Sequence, residues 1–206
     1  MMIVMRTKLT YPGTKRVPQS RKEATHDRIV EVAARAIRRS GYAGTGVADI
    51  MKEAGLTHGG FYAHFASREA LLAEAADRAG AEAVSLSADI AAAAAPGQSL
   101  QALMRAYLSQ EHLDGVENGC PVAALGSEMH RQAPEVRHAA TRHIKEMIDV
   151  VARQLPDWGT PGAHEQAMFI VSSMVGTMMM ARAVDDPRLS EQLRVAALKH
   201  FSAAGG

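Results

Sequence analysis

Cysteine, aromatic residues and long apolar runs are all scarce in this 206-residue chain, and each scarcity excludes something. A single cysteine cannot build a disulfide framework, so a reducing compartment, the cytoplasm, is expected. Aromatic residues make up only 4% of the chain and the β-branched runs that mark strands are rare, which argues against a sandwich or barrel. No apolar stretch approaches the ~18 residues that a bilayer crossing requires. The opening MMIVM is too short for a signal-peptide core and runs into a polar, basic segment, so no membrane association is expected. Recognisable catalytic patterns are also missing. There is no phosphate-binding loop, no nucleophile elbow and no evident base beside the cysteine, so an enzyme is not expected. His130, His138 and His143 do not share one helical face, and no carboxylate or cysteine completes a shell around them. Neither a metal nor another cofactor is expected.

What the chain does hold is alanine, methionine and helical periodicity. Hydrophobic residues reach 47%, with 12 methionines, and read as an all-α protein. The net charge of +1 conceals a division. Residues 1–66 carry 11 Lys/Arg against 5 Asp/Glu, and the remainder carries 12 against 17. A basic first third on an acidic remainder suits a polyanion-facing module joined to something else.

Residues 1–19 show no periodicity and read as a flexible basic arm. Ser20 and Glu23 then have capping-box spacing. Ile29, Val32, Ala33, Ala36 and Ile37 form the apolar stripe of an amphipathic helix that stops at Gly41. Thr45 is expected to cap a second, short helix that ends near Gly55, and Thr57 a third. Two short helices around Gly55, with Leu56 turned inward, have the form of a helix-turn-helix. The third begins with Gly59 and Gly60, residues that helix interiors disfavour by about 1 kcal/mol. A first turn that enters a DNA groove needs clearance more than propensity. Phe61 and Phe65, four apart, would hold that helix down, leaving Tyr62 and His64 for phosphate oxygens. Ser67 should cap a long alanine-rich helix running towards Pro96. Further helices are expected at about 99–113, 120–131, 134–155, 163–184 and 188–202.

The segment TGVADIMKEAGLTHGGFYAHFASREALL resembles the signature of the tetracycline-repressor (TetR) family of bacterial regulators. The match rests on Thr45, Ile50, Ala54, Gly55, Leu56, Thr57, Gly59, Phe61, Tyr62, His64, Phe65, Arg68 and Leu71, and is dense from about residue 24 to 72. The resemblance implies an all-α fold of about nine helices. An N-terminal three-helix bundle with a helix-turn-helix, residues 20–66, would bear a C-terminal helical domain, 67–206, for ligand binding and dimerisation. It implies a homodimer on double-stranded operator DNA, usually released by a small-molecule inducer. Carried over residue by residue, DNA contacts fall on Thr45, Thr57, His58, Gly59, Gly60, Tyr62, His64 and Arg68. Thr45, Tyr62, His64 and Arg68 would mainly hold phosphates, and His58 and Gly60 stand at base-edge positions. Two departures thin the direct readout: Ala48 stands where many relatives have a cation, and Gly60 has no side chain. Lys15, Arg16, Arg21 and Lys22 are further basic groups for backbone or minor groove.

Cys120 precedes Pro121, a residue suited to the first helical position, which puts the thiol at a helix cap facing the positive end of the dipole. Thiols so placed tend to react with oxidants and electrophiles, while the plainer reading is a small buried sulfhydryl that only fills space. This helix start is similar to that of a branch of the family that includes cysteine-based electrophile sensors. Met104, Tyr107, Met129, His143, Met147 and Phe169 are candidate pocket residues, since flexible thioethers accept varied apolar ligands. Core packing is the plainer reading of each. The sequence therefore points to a ligand- or redox-responsive repressor. A ligand-independent activator or accessory protein, whose C-terminal domain only dimerises, is the second reading.

Overall fold

The computed structural model describes residues 20–203, so the arm at 1–19, with Lys15 and Arg16, lies outside the described residues. Nine α-helices and two 3-10 stretches, with no strand, make up the described chain. Helix α1 spans Arg21–Ser40 and opens with the expected capping box: Ser20 Oγ accepts from the Glu23 amide, and Glu23 accepts from the Ser20 amide. Gly41 closes it at a φ of 75°, a left-handed value that favours glycine.

Helix α2 is short, Val47–Glu53, and its N-cap is Gly46 rather than Thr45. Gly55 makes the corner at φ 72°. The expected third helix is a 3-10 segment, His58–Ala63. Thr57 stands at its N-cap position without a side-chain cap bond, so Thr57 does not cap as expected.

Ser67 Oγ accepts from the Ala70 amide and starts α3, Arg68–Ala93, the longest helix of the described chain. The helix expected at 99–113 is two: α4 (Ser99–Tyr107) and α5 (Gln110–Asp114). The break falls where Ser109 accepts from the His112 amide and caps α5. A 3-10 turn, Val116–Asn118, then leads to α6, Pro121–Met129. Helices α7 (Pro134–Ala152), α8 (Pro161–Ala183) and α9 (Pro187–Ala203) complete the fold. Each of α6 to α9 starts on a proline, whose fixed φ suits a first turn and whose missing N–H costs nothing there.

Packing joins the two halves. The N-terminal core of Ile29, Ile37, Ile50, Met51, Phe61 and Phe65 continues through Leu71, Leu72, Ala75 and Ala76 of α3. It then takes in Leu125 of α6 and Val136 and Ala139 of α7. Hydrophobic packing therefore does not break at the expected 66/67 boundary. A second core, from Met104 to Phe201, holds α4, α7, α8 and α9 together. Each large side chain removed from water contributes about 1.5–3 kcal/mol. Helices α3 and α7 approach so closely at Gly80 that an added Cβ would lie 2.3 Å from the His143 ring. Among the described residues no helix is long and apolar enough to cross a membrane.

Candidate nucleic-acid interface and effector cavity

The two glycines that open the 58–63 segment are not required by the fold. A Cβ at Gly59 would meet nothing within 4 Å, and one at Gly60 only ordinary contacts with Met51 and Thr57. Neither has a left-handed φ. Thr57, His58 and Gly59 are exposed, as is Tyr62 at 74%. Beneath this face Phe61 and Phe65 are buried, their rings stacked 5.6 Å apart, and Tyr62 sets an edge on Phe61. The open outer face and anchored inner face follow from the 61/65 spacing.

Three expected phosphate contacts look different in space. Thr45 is buried, and its hydroxyl donates to the carbonyls of Gly41 (2.7 Å) and Ala36 (3.2 Å). It fastens the α1–α2 turn and does not face outward. Arg68 donates from Nη2 to the carbonyls of Tyr42 (2.5 Å) and Thr45 (3.2 Å), bracing the same turn from the start of α3. His64 is half-buried, with Nδ1 enclosed and unpartnered. Burial, and then the neighbouring His26 and Lys22, lower its pKa, so the neutral ring is favoured. His26 stacks on Phe65 and meets Glu74 of α3 at 2.6 Å. Arg21 and Lys22 are exposed in the first turn of α1, and Ala48 is exposed on α2.

A cavity of about 350 Å³ lies between α3, α4, α6, α7 and α8, within the size range of small-molecule sites. Tyr107, His143 and Met147, three of the six pocket candidates, line it together with Cys120. Met104, Met129 and Phe169 do not. Met104 is enclosed in the second core, and Met129 packs against the N-terminal core from the end of α6. Phe169 is 60% exposed on the outside of α8. Val84, Val122, Ile144, Val171 and Val175 supply apolar walls that the sequence did not single out.

Cys120 is the N-cap residue of α6, with Pro121 next to it, and is buried. A histidine not singled out in the sequence organises its surroundings. His112 Nδ1 lies 2.6 Å from the Tyr107 carbonyl, which can only accept, so Nδ1 carries the hydrogen. Nε2 is then free to accept from the Cys120 amide at 3.0 Å. Burial, joined by the charge of Arg182, keeps the His112 pKa low against the bond to Tyr107, consistent with this neutral tautomer. Arg182 in turn donates to the carbonyls of His112 (2.5 Å) and Leu113 (3.2 Å). Two buried donors lack a strong acceptor: Arg182 Nη1 has no partner, and the Tyr107 hydroxyl has only the weakly accepting Cys120 thiol as its neighbour. A buried donor left so costs about 1–3 kcal/mol. Burial, then Cys120, push the Tyr107 hydroxyl well above its ordinary pKa, so it is a donor at neutral pH.

At the opposite wall His143 lies with Nε2 2.6 Å from Asp77 and Nδ1 2.6 Å from Glu146. Burial pushes Asp77 upward, but bonds from His143 and Arg142 outweigh it and hold the carboxyl below its usual range.

Polar ties connect the cavity region to the N-terminal head. Arg38 of α1, 3% exposed, donates to the carbonyl of Gly119 (3.3 Å) and to Glu82 of α3 (2.8 Å). Arg39 bonds Glu117 (3.0 Å) and Glu53 (2.8 Å). Glu128 of α6 accepts from the Tyr42 amide at 3.0 Å.

A helix-turn-helix on a small helical head, carried on a larger helical body, defines the class of two-part DNA-binding regulators. Comparison with known proteins supplies the family. Residues 29–75 match the model of bacterial regulatory proteins of the tetR family, and residues 96–198 match the C-terminal domain of LmrA/YxaF-like transcriptional regulators. The chain is 31% identical over 173 residues to an HTH-type transcriptional regulator of Mycobacterium tuberculosis, Rv0196, covering 80% of this chain and 87% of that one. It is 27% identical to the HTH-type transcriptional regulator LmrA of Bacillus subtilis, over 73% and 82% of the two chains. Among solved structures, reduced NemR of E. coli superposes with a TM-score of 0.74 at 19% identity, over 86% of this chain and 94% of that one. A TetR regulator of Chloroflexus aurantiacus gives 0.71 at 25% identity, over 88% and 96%. The chain belongs to the TetR family of transcriptional regulators.

Proposed function

We propose that the protein is a cytoplasmic, homodimeric repressor that leaves its operator when a small molecule or a thiol-reactive agent acts at the cavity beside Cys120. The observation that carries this reading is the bond from buried Arg38 to the Gly119 carbonyl, one residue before the cysteine. Occupancy that shifts the 116–120 segment would pull on Arg38 and Arg39 together, and movement of α6 would reach Tyr42 through Glu128. Both pulls act on α1 and the turn that Arg68 braces. In a dimer this alters the separation of the two recognition segments from the ~34–36 Å that spans one DNA turn. A ligand that prefers the altered state shifts the population towards it.

Two surfaces support the remaining parts. Gly59 and Tyr62 leave an uncluttered face for phosphate and base edges, with His58 beside them. Met168, Phe169 and Met180 are exposed on α8, and Leu189 and Val195 on α9, apolar side chains on two helices packed against each other that suit a second copy of the chain. Phe169 therefore belongs with dimerisation.

The test is binding of the full-length protein to the DNA upstream of its own gene, across a salt series, with and without iodoacetamide or hydrogen peroxide. The expected result is saturable, salt-dependent binding that either reagent weakens in the wild type and leaves intact in Cys120→Ser. Release that persists in Cys120→Ser would sink the thiol part of the reading. Absence of specific binding to any upstream fragment would count against the repressor itself.

A further inference from the structure

The polar groups facing the cavity are unequal, and their inequality defines a ligand. His143 has both ring nitrogens engaged by carboxylates. Ser172 donates its hydroxyl to the Met168 carbonyl at 2.7 Å. Tyr107 is different: its hydroxyl is enclosed, has the weakly accepting Cys120 thiol as its neighbour, and belongs to a residue that lines the cavity. Beside it stands Arg182, whose bonds go only to neutral carbonyls and whose Nη1 has no partner. Among the described residues this half-buried guanidinium makes no ion pair, and its charge acts on the hydroxyl of Tyr107, the residue that lines the cavity in front of it. His112 fixes the arrangement by binding the Tyr107 carbonyl, the Cys120 amide and, through its own carbonyl, Arg182.

We infer that the cavity takes a small molecule with an apolar body and one oxyanion, the oxygen accepting from the Tyr107 hydroxyl with the charge of Arg182 close behind it. The walls of Val84, Ile144, Val171 and Val175 carry no charge to oppose the body. An ammonium group is disfavoured there because it would face a second cation and two donors. This deepens the proposed inducer reading by giving the inducer a chemistry, and rests on the same cavity.

Three probes with one body separate the possibilities: 2-naphthoate, naphthalene and 2-naphthylmethylammonium. Each is titrated calorimetrically into the full-length protein and into Tyr107→Phe, which keeps the ring and removes only the donor. The expected order is naphthoate tightest, naphthalene about tenfold or more weaker, and the ammonium weaker still. Tyr107→Phe should weaken naphthoate by about tenfold and leave naphthalene unchanged. Equal binding of naphthoate and naphthalene, preference for the ammonium, no binding of any probe, or an unaltered naphthoate affinity in Tyr107→Phe would each overturn the inference. The same titration repeated on the DNA complex keeps the two readings apart. Naphthoate that binds as described without releasing DNA refutes the release mechanism and leaves the ligand class standing. DNA release by thiol reagents in a protein that ignores naphthoate does the reverse.

Discussion

Gly59→Ala separates two demands made on one residue. An added methyl at position 59 meets nothing within 4 Å, and the positive-φ glycines of the described chain are Gly41, Gly55, Gly97 and Gly159. The folded state therefore has room for alanine, while the unfolded chain loses freedom. The expected gain is about 0.4–1 kcal/mol. For a chain of this size that is about 1–4 °C in Tm. On DNA the balance should reverse, because the methyl stands on the exposed first turn that the proposed reading brings close to the duplex. Overpacking by one methyl costs about 1–3 kcal/mol, which raises Kd about 5- to 150-fold. Thermal melting without DNA gives the first number, and fluorescence anisotropy on a labelled upstream duplex gives the second. A general disturbance of the head cannot raise Tm and lower affinity together. Gly60→Ala is the graded control, since its Cβ would touch Met51 at 3.7 Å. A Gly59→Ala protein that melts lower, or that binds DNA as tightly as wild type, would refute the reasoning.

Arg68→Ala should lower both Tm and DNA affinity while leaving the salt slope unchanged, because the guanidinium braces Tyr42 and Thr45 carbonyls. A slope that falls by about one would instead mark a lost phosphate contact. Gly80→Ala should destabilise by about 1–3 kcal/mol, since the new Cβ would lie 2.3 to 2.7 Å from His143 atoms at the root of its side chain. Denaturant melts at constant m-value would check it. Asp77 has a depressed folded pKa, so its contribution to stability is complete above its unfolded value and is lost as pH falls through the folded one. Tm measured from pH 7 down to pH 3 should therefore fall more steeply on the acid side for wild type than for Asp77→Asn. Identical acid limbs would remove Asp77 from the account.

Much of the N-terminal half was legible because its signals are local. Ser20 and Glu23 are three residues apart and answer each other directly across one helical turn. Phe61 and Phe65 are a turn apart and share a face, so their burial followed from spacing alone. The same local logic erred at Thr45. A threonine before a short helix reads as a cap, but its hydroxyl found the Gly41 and Ala36 carbonyls once α1 folded back beside it. The bracing role of Arg68 was hidden for a related reason: a cation after a recognition segment looks free until the Tyr42 carbonyl, 26 residues earlier, arrives next to it. The helix expected at 99–113 split because Ser109 caps from inside an apolar pattern that periodicity alone reads as continuous.

By itself, the sequence determined the helical class, the helix-turn-helix, the exposed glycine face and the position of Cys120 at the start of α6. These depend on neighbours within a turn or two, where backbone geometry converts spacing into direction. Only the tertiary structure decided that His112 and Arg182 belong to the cysteine's surroundings, 70 residues apart in the chain and bonded in space. It also moved Met104, Met129 and Phe169 out of the cavity and made Arg38 a tie between α1 and Gly119. Such contacts join residues on different helices, and no periodicity along one helix states which face of another it will meet.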